Sequence, residues 1–166
     1  NNYNTAVPLL EQYGFKAIFF IVSESIGRDN FWHDPATEPR IPMMNEEELK
    51  RLIDRGHEIG SHTLHHPNLA RSDRTRVFEE VNQSKKHLEK RLKCSIVSFA
   101  YPYGAGAHEP AIVDTVRAAG YRFACSIRQG LAHLSHEPYT LKRLLIRGDD
   151  GWFDFYLNIT RGRARL

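Results

Sequence analysis

The sequence predicts an α/β domain built on a mostly parallel sheet, and three observations carry that prediction. Short apolar runs alternate with longer amphipathic stretches, the pattern of strand and helix units wound around a sheet. The stretches are punctuated by residues that start or stop helices, with Asn45 and Pro110 at starts and Gly14, Gly56 and Gly120 at ends. No unit repeats another, and 166 residues with 41% hydrophobic content suit a single domain with a buried core.

The elements follow in order. Residues 3–13 carry Val7 and Leu10 on a helical pattern that stops at Gly14, a residue favoured just past a helix end. Residues 17–22 are an unbroken apolar run and read as a strand buried on both faces. Residues 28–42, rich in proline, aspartate and aromatics, read as a long functional loop. Asn45 caps a helix whose first turn is Glu46, Glu47 and Glu48, with the carboxylates at the positive end of the dipole, and Gly56 closes it. Its exit leads into a short strand at 57–60. From about residue 72 to 93, Val77, Val81, Ser84, Leu88 and Leu92 recur at three- and four-residue steps and define one helix face. Residues 96–100 are the next strand. Pro110 suits the first turn of a helix through Ile112, Val113 and Val116 to Gly120. Residues 121–126 are again a strand, 141–146 the last clear one, and 152–157 a short aromatic helix or turn.

Composition narrows the function classes. The formal charge is only +3, with 23 basic and 20 acidic residues interspersed, so nucleic acid is not the favoured partner. The one basic run, Arg161-Gly162-Arg163-Ala164-Arg165, reads as a solvated terminus. Cys94 and Cys125 lack a CxxC or paired spacing and read as small buried hydrophobes. No stretch approaches the roughly twenty apolar residues of a membrane span. No signal peptide opens the chain, which lacks an initiator Met and enters a helical pattern at once; it is expected to begin partway through its domain.

The most informative stretch is Gly56-His57-Glu58-Ile59-Gly60-Ser61-His62-Thr63-Leu64-His65-His66-Pro67, where a strand ends and a turn begins. If that turn is helical, His62 and His66 lie four residues apart on one face, close enough for both imidazoles to reach one metal ion. Neutral imidazole is a common ligand for zinc, and the carboxyl end of a strand is where parallel α/β sheets place their sites. His57 belongs to the other strand face and reads as structural. His65 sits at the wrong helical angle and reads as exposed. Thr63 orients a ligand or caps the turn, and capping alone suffices.

Several segments in order resemble a known family: Tyr3-Asn4-Thr5-Ala6-Val7-Pro8-Leu9-Leu10 with Gly14-Phe15-Lys16-Ala17-Ile18-Phe19-Phe20, then the histidine segment as an H-[ST]-x-x-H motif. Phe99-Ala100-Tyr101-Pro102-Tyr103-Gly104, Ala118-Ala119-Gly120-Tyr121-Arg122-Phe123-Ala124 and Leu141-Lys142-Arg143-Leu144 continue the likeness along nearly the whole chain. The family is the polysaccharide deacetylases of the NodB-homology type, carbohydrate esterase family four. The resemblance implies a distorted seven-stranded (β/α) barrel with a groove for a sugar polymer. It implies a divalent metal, Zn2+ first with Co2+, Ni2+ or Mn2+ as alternatives, held by one Asp and two His, the latter matching His62 and His66. The Asp and a neighbouring Asp base belong to a T-F-D-D-G motif that the family places just before the helix at Tyr3. Residues 1–166 are therefore expected to be one such domain without its first strand and that motif.

Asp149-Asp150-Gly151, after the last strand, is a conceivable substitute by circular permutation, and a polar turn is the simpler reading. Ala100 replaces the family's Arg; Arg143 either supplies that charge or forms a surface ion pair. Tyr103 matches the family's Tyr, whose N–H stabilises an oxyanion, and Pro102 fixes its turn, so both are expected at the substrate. His133, in Leu131-Ala132-His133, matches the family's L-x-H general acid in letters but comes early and after a glycine. The aromatic and acidic residues of 31–35 are candidates to line the groove or cover the barrel edge. The implied activity is hydrolysis of N-acetyl groups on a polymer such as poly-N-acetylglucosamine, chitin or peptidoglycan, at the cell envelope or exterior. Two other readings stay open: a silent sugar-binding or structural fragment, and an amidohydrolase acting on a small cyclic amide.

Overall fold

The computed structural model describes residues 2–133, 135 and 137–162. Strand β1 (Ile18–Ile21) pairs with β2 (Glu58–Ser61), β2 with β3 (Ser98–Ala100), β3 with β4 (Phe123–Gln129) and β4 with β5 (Leu141–Arg143), always in parallel. Spatial order equals sequence order. The strands therefore never reverse course at a switch point, which is how they progress around a barrel and not how a doubly wound sheet is built. Parallel neighbours need crossovers. Helices α2 (Glu46–Asp54), α3 (Arg74–Leu92) and α4 (Pro110–Ala118) supply the first three, flanked by α1 (Asn2–Gln12) and α5 (Trp152–Arg161).

Each helix starts and stops where its sequence allows. Asn45 accepts from Glu48 N–H at 2.9 Å while the Glu48 carboxylate accepts from Asn45 N–H at 2.8 Å, a reciprocal cap that satisfies two donors the helix would leave orphaned. Asp73 caps α3 through Arg76 N–H at 2.8 Å, and Lys93 ends it in the left-handed conformation. Fully buried Leu49 and Leu52 of α2, with Val81 and Leu88 of α3, join Ile59, Phe99 and Val116 in one core. Each such side chain contributes about 1.5–3 kcal/mol relative to exposure. A chain of hydroxyls runs through this core: Ser61 of β2 bonds Ser84 of α3 at 2.8 Å, and Ser84 meets the Tyr121 hydroxyl at 3.3 Å. Tyr121 also donates to the Val81 carbonyl at 3.0 Å, so the polar atoms are buried with partners.

Three expectations change. The run at 17–22 is buried on one face only, with Phe19 and Ile21 inside and Ile18 and Phe20 half-buried, because Phe20 borders an open cleft. The last strand stops at Arg143; Leu145 and Ile146 are exposed beyond it and pair with no strand among the described residues. The aromatic segment at 152–157 is part of a full helix, α5, ended by Gly162 in the left-handed conformation. Cys94 and Cys125 are half-buried and unpaired with each other. Most of the basic run 161–165 lies outside the described residues. No described helix is long and apolar enough to cross a membrane.

Candidate metal centre at the strand ends

The carboxyl ends of the parallel strands converge on two histidines. His62 follows β2 directly, its N–H still donating to Ile21 O of β1 at 2.9 Å. The approach to it requires a glycine: a Cβ on Gly60 would stand 2.5 Å from the Phe20 ring and 2.6 Å from Ser98 Oγ. The backbone then turns, but not into a helix as anticipated. Thr63 and His66 both take positive φ, 69° and 64°, a conformation disfavoured for residues with a Cβ and unusual for a β-branched one. Thr63 is fully buried, and its hydroxyl accepts from His66 N–H at 2.9 Å, so it does cap the turn.

The strained turn brings the two imidazoles together more closely than a helical spacing requires. Their Nε2 atoms are 3.1 Å apart. His62 Nδ1 donates to the Ala100 carbonyl at the end of β3 at 2.7 Å, and since a carbonyl only accepts, that bond fixes the tautomer and leaves the Nε2 lone pair facing His66. Burial, reinforced by the charge of Arg143, pushes His62 down to about 4 despite the Ala100 bond. Burial, then His62 and His33, push His66 down to about 3. Both rings are therefore neutral near pH 7, the form that ligates metals. Two nitrogens bound to one tetrahedral ion stand about 3.4 Å apart, close to the spacing here. The donor set fits a divalent cation, with His62 already oriented by the kind of outer-shell carbonyl that metal-bound histidines use. His66 Nδ1 is buried without a hydrogen-bond partner. Among the described residues no group of three or more His, Cys, Asp or Glu forms a complete metal shell.

The surroundings are aromatic. The His66 ring is flanked by Trp32, centroids 4.9 Å apart, and by Tyr103, 4.7 Å apart and edge-on. Trp32 comes from the long loop at 28–42, which is held by buried Asn30: its side chain accepts from Ile41 N–H at 2.7 Å and donates to Pro39 O at 3.0 Å. Tyr103 sits in a 3-10 turn after β3, with buried Pro102 at its start, and has φ 56°. Gly104 next to it has φ 66° and no room for a Cβ against Ile127. A cleft of about 300 Å³ opens beside His62, lined by Phe20, Trp32, Ile41 and Met44 among others.

The remaining sequence candidates are placed as follows. Arg143, at the end of β5, donates from Nε to Ser126 O at 2.8 Å and lies near enough for its charge to act on His62. His133 is exposed on the loop between β4 and β5. Asp149 and Asp150 form a local turn in which Asp150 accepts from Arg147 N–H at 2.8 Å. His57 is buried and accepts from Ala17 N–H at 3.1 Å, a structural role as read from parity. His65 is partly exposed, yet its Nδ1 is 2.8 Å from a Glu80 oxygen. The sequence reading missed Glu80, although a signal was there: a carboxylate three residues after Val77 and four before Ser84 falls on the buried helix stripe.

Comparison with known proteins points to one family and fold. The polysaccharide deacetylase family pattern matches residues 1–124. A poly-β-1,6-N-acetyl-D-glucosamine N-deacetylase of Staphylococcus aureus is 27% identical over 89% of this chain and 51% of its own. A protein of Bacillus subtilis described as a putative polysaccharide deacetylase, YxkH, is 28% identical over 88% of this chain and 47% of its own. The chain thus spans about half the length of the curated relatives it matches. Among solved structures, the Streptococcus pyogenes deacetylase PplD in complex with acetate superposes with a TM-score of 0.78 at 20% identity, over 98% of this chain and 65% of that one. IcaB from Ammonifex degensii gives 0.72 at 22%, over 90% and 64%. At such identities the structural likeness establishes the fold.

Proposed function

We propose, from the premise that this chain belongs to the polysaccharide deacetylase family, that it forms the metal-binding part of a carbohydrate N-deacetylase. The observation that carries the reading is the convergence of the His62 and His66 Nε2 atoms, 3.1 Å apart, with His62 locked by the Ala100 carbonyl. The substrate class is an N-acetylated polysaccharide. Poly-β-1,6-N-acetylglucosamine comes first, because the S. aureus relative is named for it.

His62 and His66 would hold a divalent cation, zinc foremost. Such an ion supplies Lewis acidity toward the acetyl carbonyl and makes water a usable nucleophile near neutral pH. The other steps fall to protein groups. The N–H of Tyr103 would donate to the oxygen on which negative charge develops. Trp32 and Tyr103 offer flat walls beside His66 against which a sugar ring can lie. Arg143 contributes positive charge near His62, compensating in part for Ala100 where the family pattern has Arg. His133, exposed between β4 and β5, is the candidate to protonate the departing amine.

The test is acetate release from N-acetylglucosamine oligomers with and without chelation. Hydrolysis abolished by a chelator and restored by zinc or cobalt supports the reading. Oligomer binding with neither metal uptake nor hydrolysis sinks it in favour of a sugar-binding module. Hydrolysis confined to small cyclic amides would reassign the substrate.

A further inference from the structure

We infer, on the footing of the metal-site reading above, that Glu80 of α3 is the positioning residue of the histidine pair, holding the 63–66 turn in the strained backbone that brings the two imidazoles together. Glu80 is 1% exposed, an unusual place for a carboxylate unless it is fully partnered. Its partners are the turn itself. Oε2 accepts from both Leu64 N–H and His65 N–H at 2.9 Å. Oε1 lies 2.8 Å from His65 Nδ1 and 2.8 Å from the Arg76 guanidinium one helical turn earlier.

The two amides gripped by Oε2 lie between Thr63 and His66, the two residues with positive φ. Without an acceptor there, two backbone donors would be left unpaired and the turn would be free to relax toward ordinary dihedrals. The Nε2 atoms would then separate, because each ring direction is set by that backbone. Oε1 extends the hold outward: the His65 ring it contacts packs edge-on against Phe31, centroids 6.4 Å apart, next to Trp32. One carboxylate thus connects α3, the ligand turn and the aromatic loop, without touching either ligand side chain in the hydrogen bonds described.

The test compares Glu80→Ala and Glu80→Gln with the parent chain, using Val116→Ala in α4 as a control for general loss of core packing. Metal-free readouts come first: hydrogen exchange of the Leu64 and His65 amides, and the imidazole nitrogen resonances of His62 and His66. Glu80→Ala is expected to speed exchange of those amides at least about tenfold and to shift both imidazole spectra. Glu80→Gln, which keeps an acceptor oxygen for the amides, is expected to restore much of the parent pattern. Val116→Ala is expected to lower the melting temperature while leaving the imidazole spectra in place. Zinc affinity is expected to fall about 10- to 100-fold in Glu80→Ala, the usual range for lost outer-shell support. Parent-like imidazole spectra in Glu80→Ala, or the same shift in Val116→Ala, would overturn the role. A parent chain that binds no zinc yet shows the Glu80-dependent spectra would count against the deacetylase reading and for the positioning of the turn.

Discussion

Two polar turns follow strands of the same parallel sheet, and they are built in opposite ways. The turn after β2 carries His62 and His66, is mostly half-buried, has two residues at positive φ, and draws its hydrogen bonds from a distant helix and a neighbouring strand. The turn after β5 carries Asp149 and Asp150, is mostly exposed, and is tied locally: Asp150 accepts from Arg147 N–H three residues back, and Arg147 lies 3.8 Å from Asp149. Both have residue types suited to a metal. What separates them is support: a side chain that must meet a ligand at one angle is held by groups from elsewhere in the fold, whereas a turn residue needs only its own backbone.

The sharpest way to break this contrast is to remove the ligands. His62→Ala or His66→Ala should lower zinc affinity at least about 100-fold and abolish acetate release, measured by chelator competition and by product assay. A variant that keeps both would show that the converging imidazoles are not the metal site. The next effect is on stability against pH. The unfolded chain protonates its histidines near 6.5, while His62 and His66 resist down to about 4 and about 3 in the fold. Unfolding therefore takes up protons below about pH 6.5, so their contribution is intact above that value and declines as pH falls toward 4. The unfolding free energy of the metal-free protein, from urea titrations, should drop over that window by up to about 2 kcal/mol per pH unit, the share of the less buried His66 being reduced by solvent screening. Replacing both histidines with Ala should flatten the drop.

Smaller effects sharpen the difference between strain that serves a site and strain that does not. Lys93, the remaining non-glycine residue at positive φ among those described, lies at the C-terminus of α3, away from the imidazoles. Lys93→Gly should stabilise the protein by up to about 1 kcal/mol, seen as a rise in melting temperature with zinc binding unchanged. The smallest effect is expected for Asp149→Asn combined with Asp150→Asn: within about 0.5 kcal/mol in stability and no change in zinc affinity. Loss of zinc in that variant would make the β5 turn a second part of the site.

The sequence made the fold legible wherever a local rule and the tertiary demand coincided. Asn45 with Glu48, Pro110 and the stripe from Val77 to Leu92 each announce a helix that the core then uses. Strand ends were harder, because pairing decides them: residues 144–146 are as apolar as a strand and pair with no strand among the described residues. His62 and His66 could be named from their motif, but not the backbone that joins them, since nothing in Thr63-Leu64-His65 signals two left-handed residues. That conformation exists because Glu80, fourteen positions after His66, accepts the amides between them, and long-range satisfaction of this kind leaves only a faint trace in one sequence. The trace was a charged residue in an apolar stripe.

The buried hydroxyls of Ser61, Ser84 and Tyr121 have a role beyond satisfying one another. Ser84 stands about one helical turn beyond Glu80, so its bond to β2 fixes the rotation of α3 about its own axis. A slip of a single residue would turn the helix by about 100° and swing the carboxylate away from the amides it serves. The small polar seam in the core thus acts as an alignment key for the helix, and through it for the two imidazoles at the carboxyl ends of the strands.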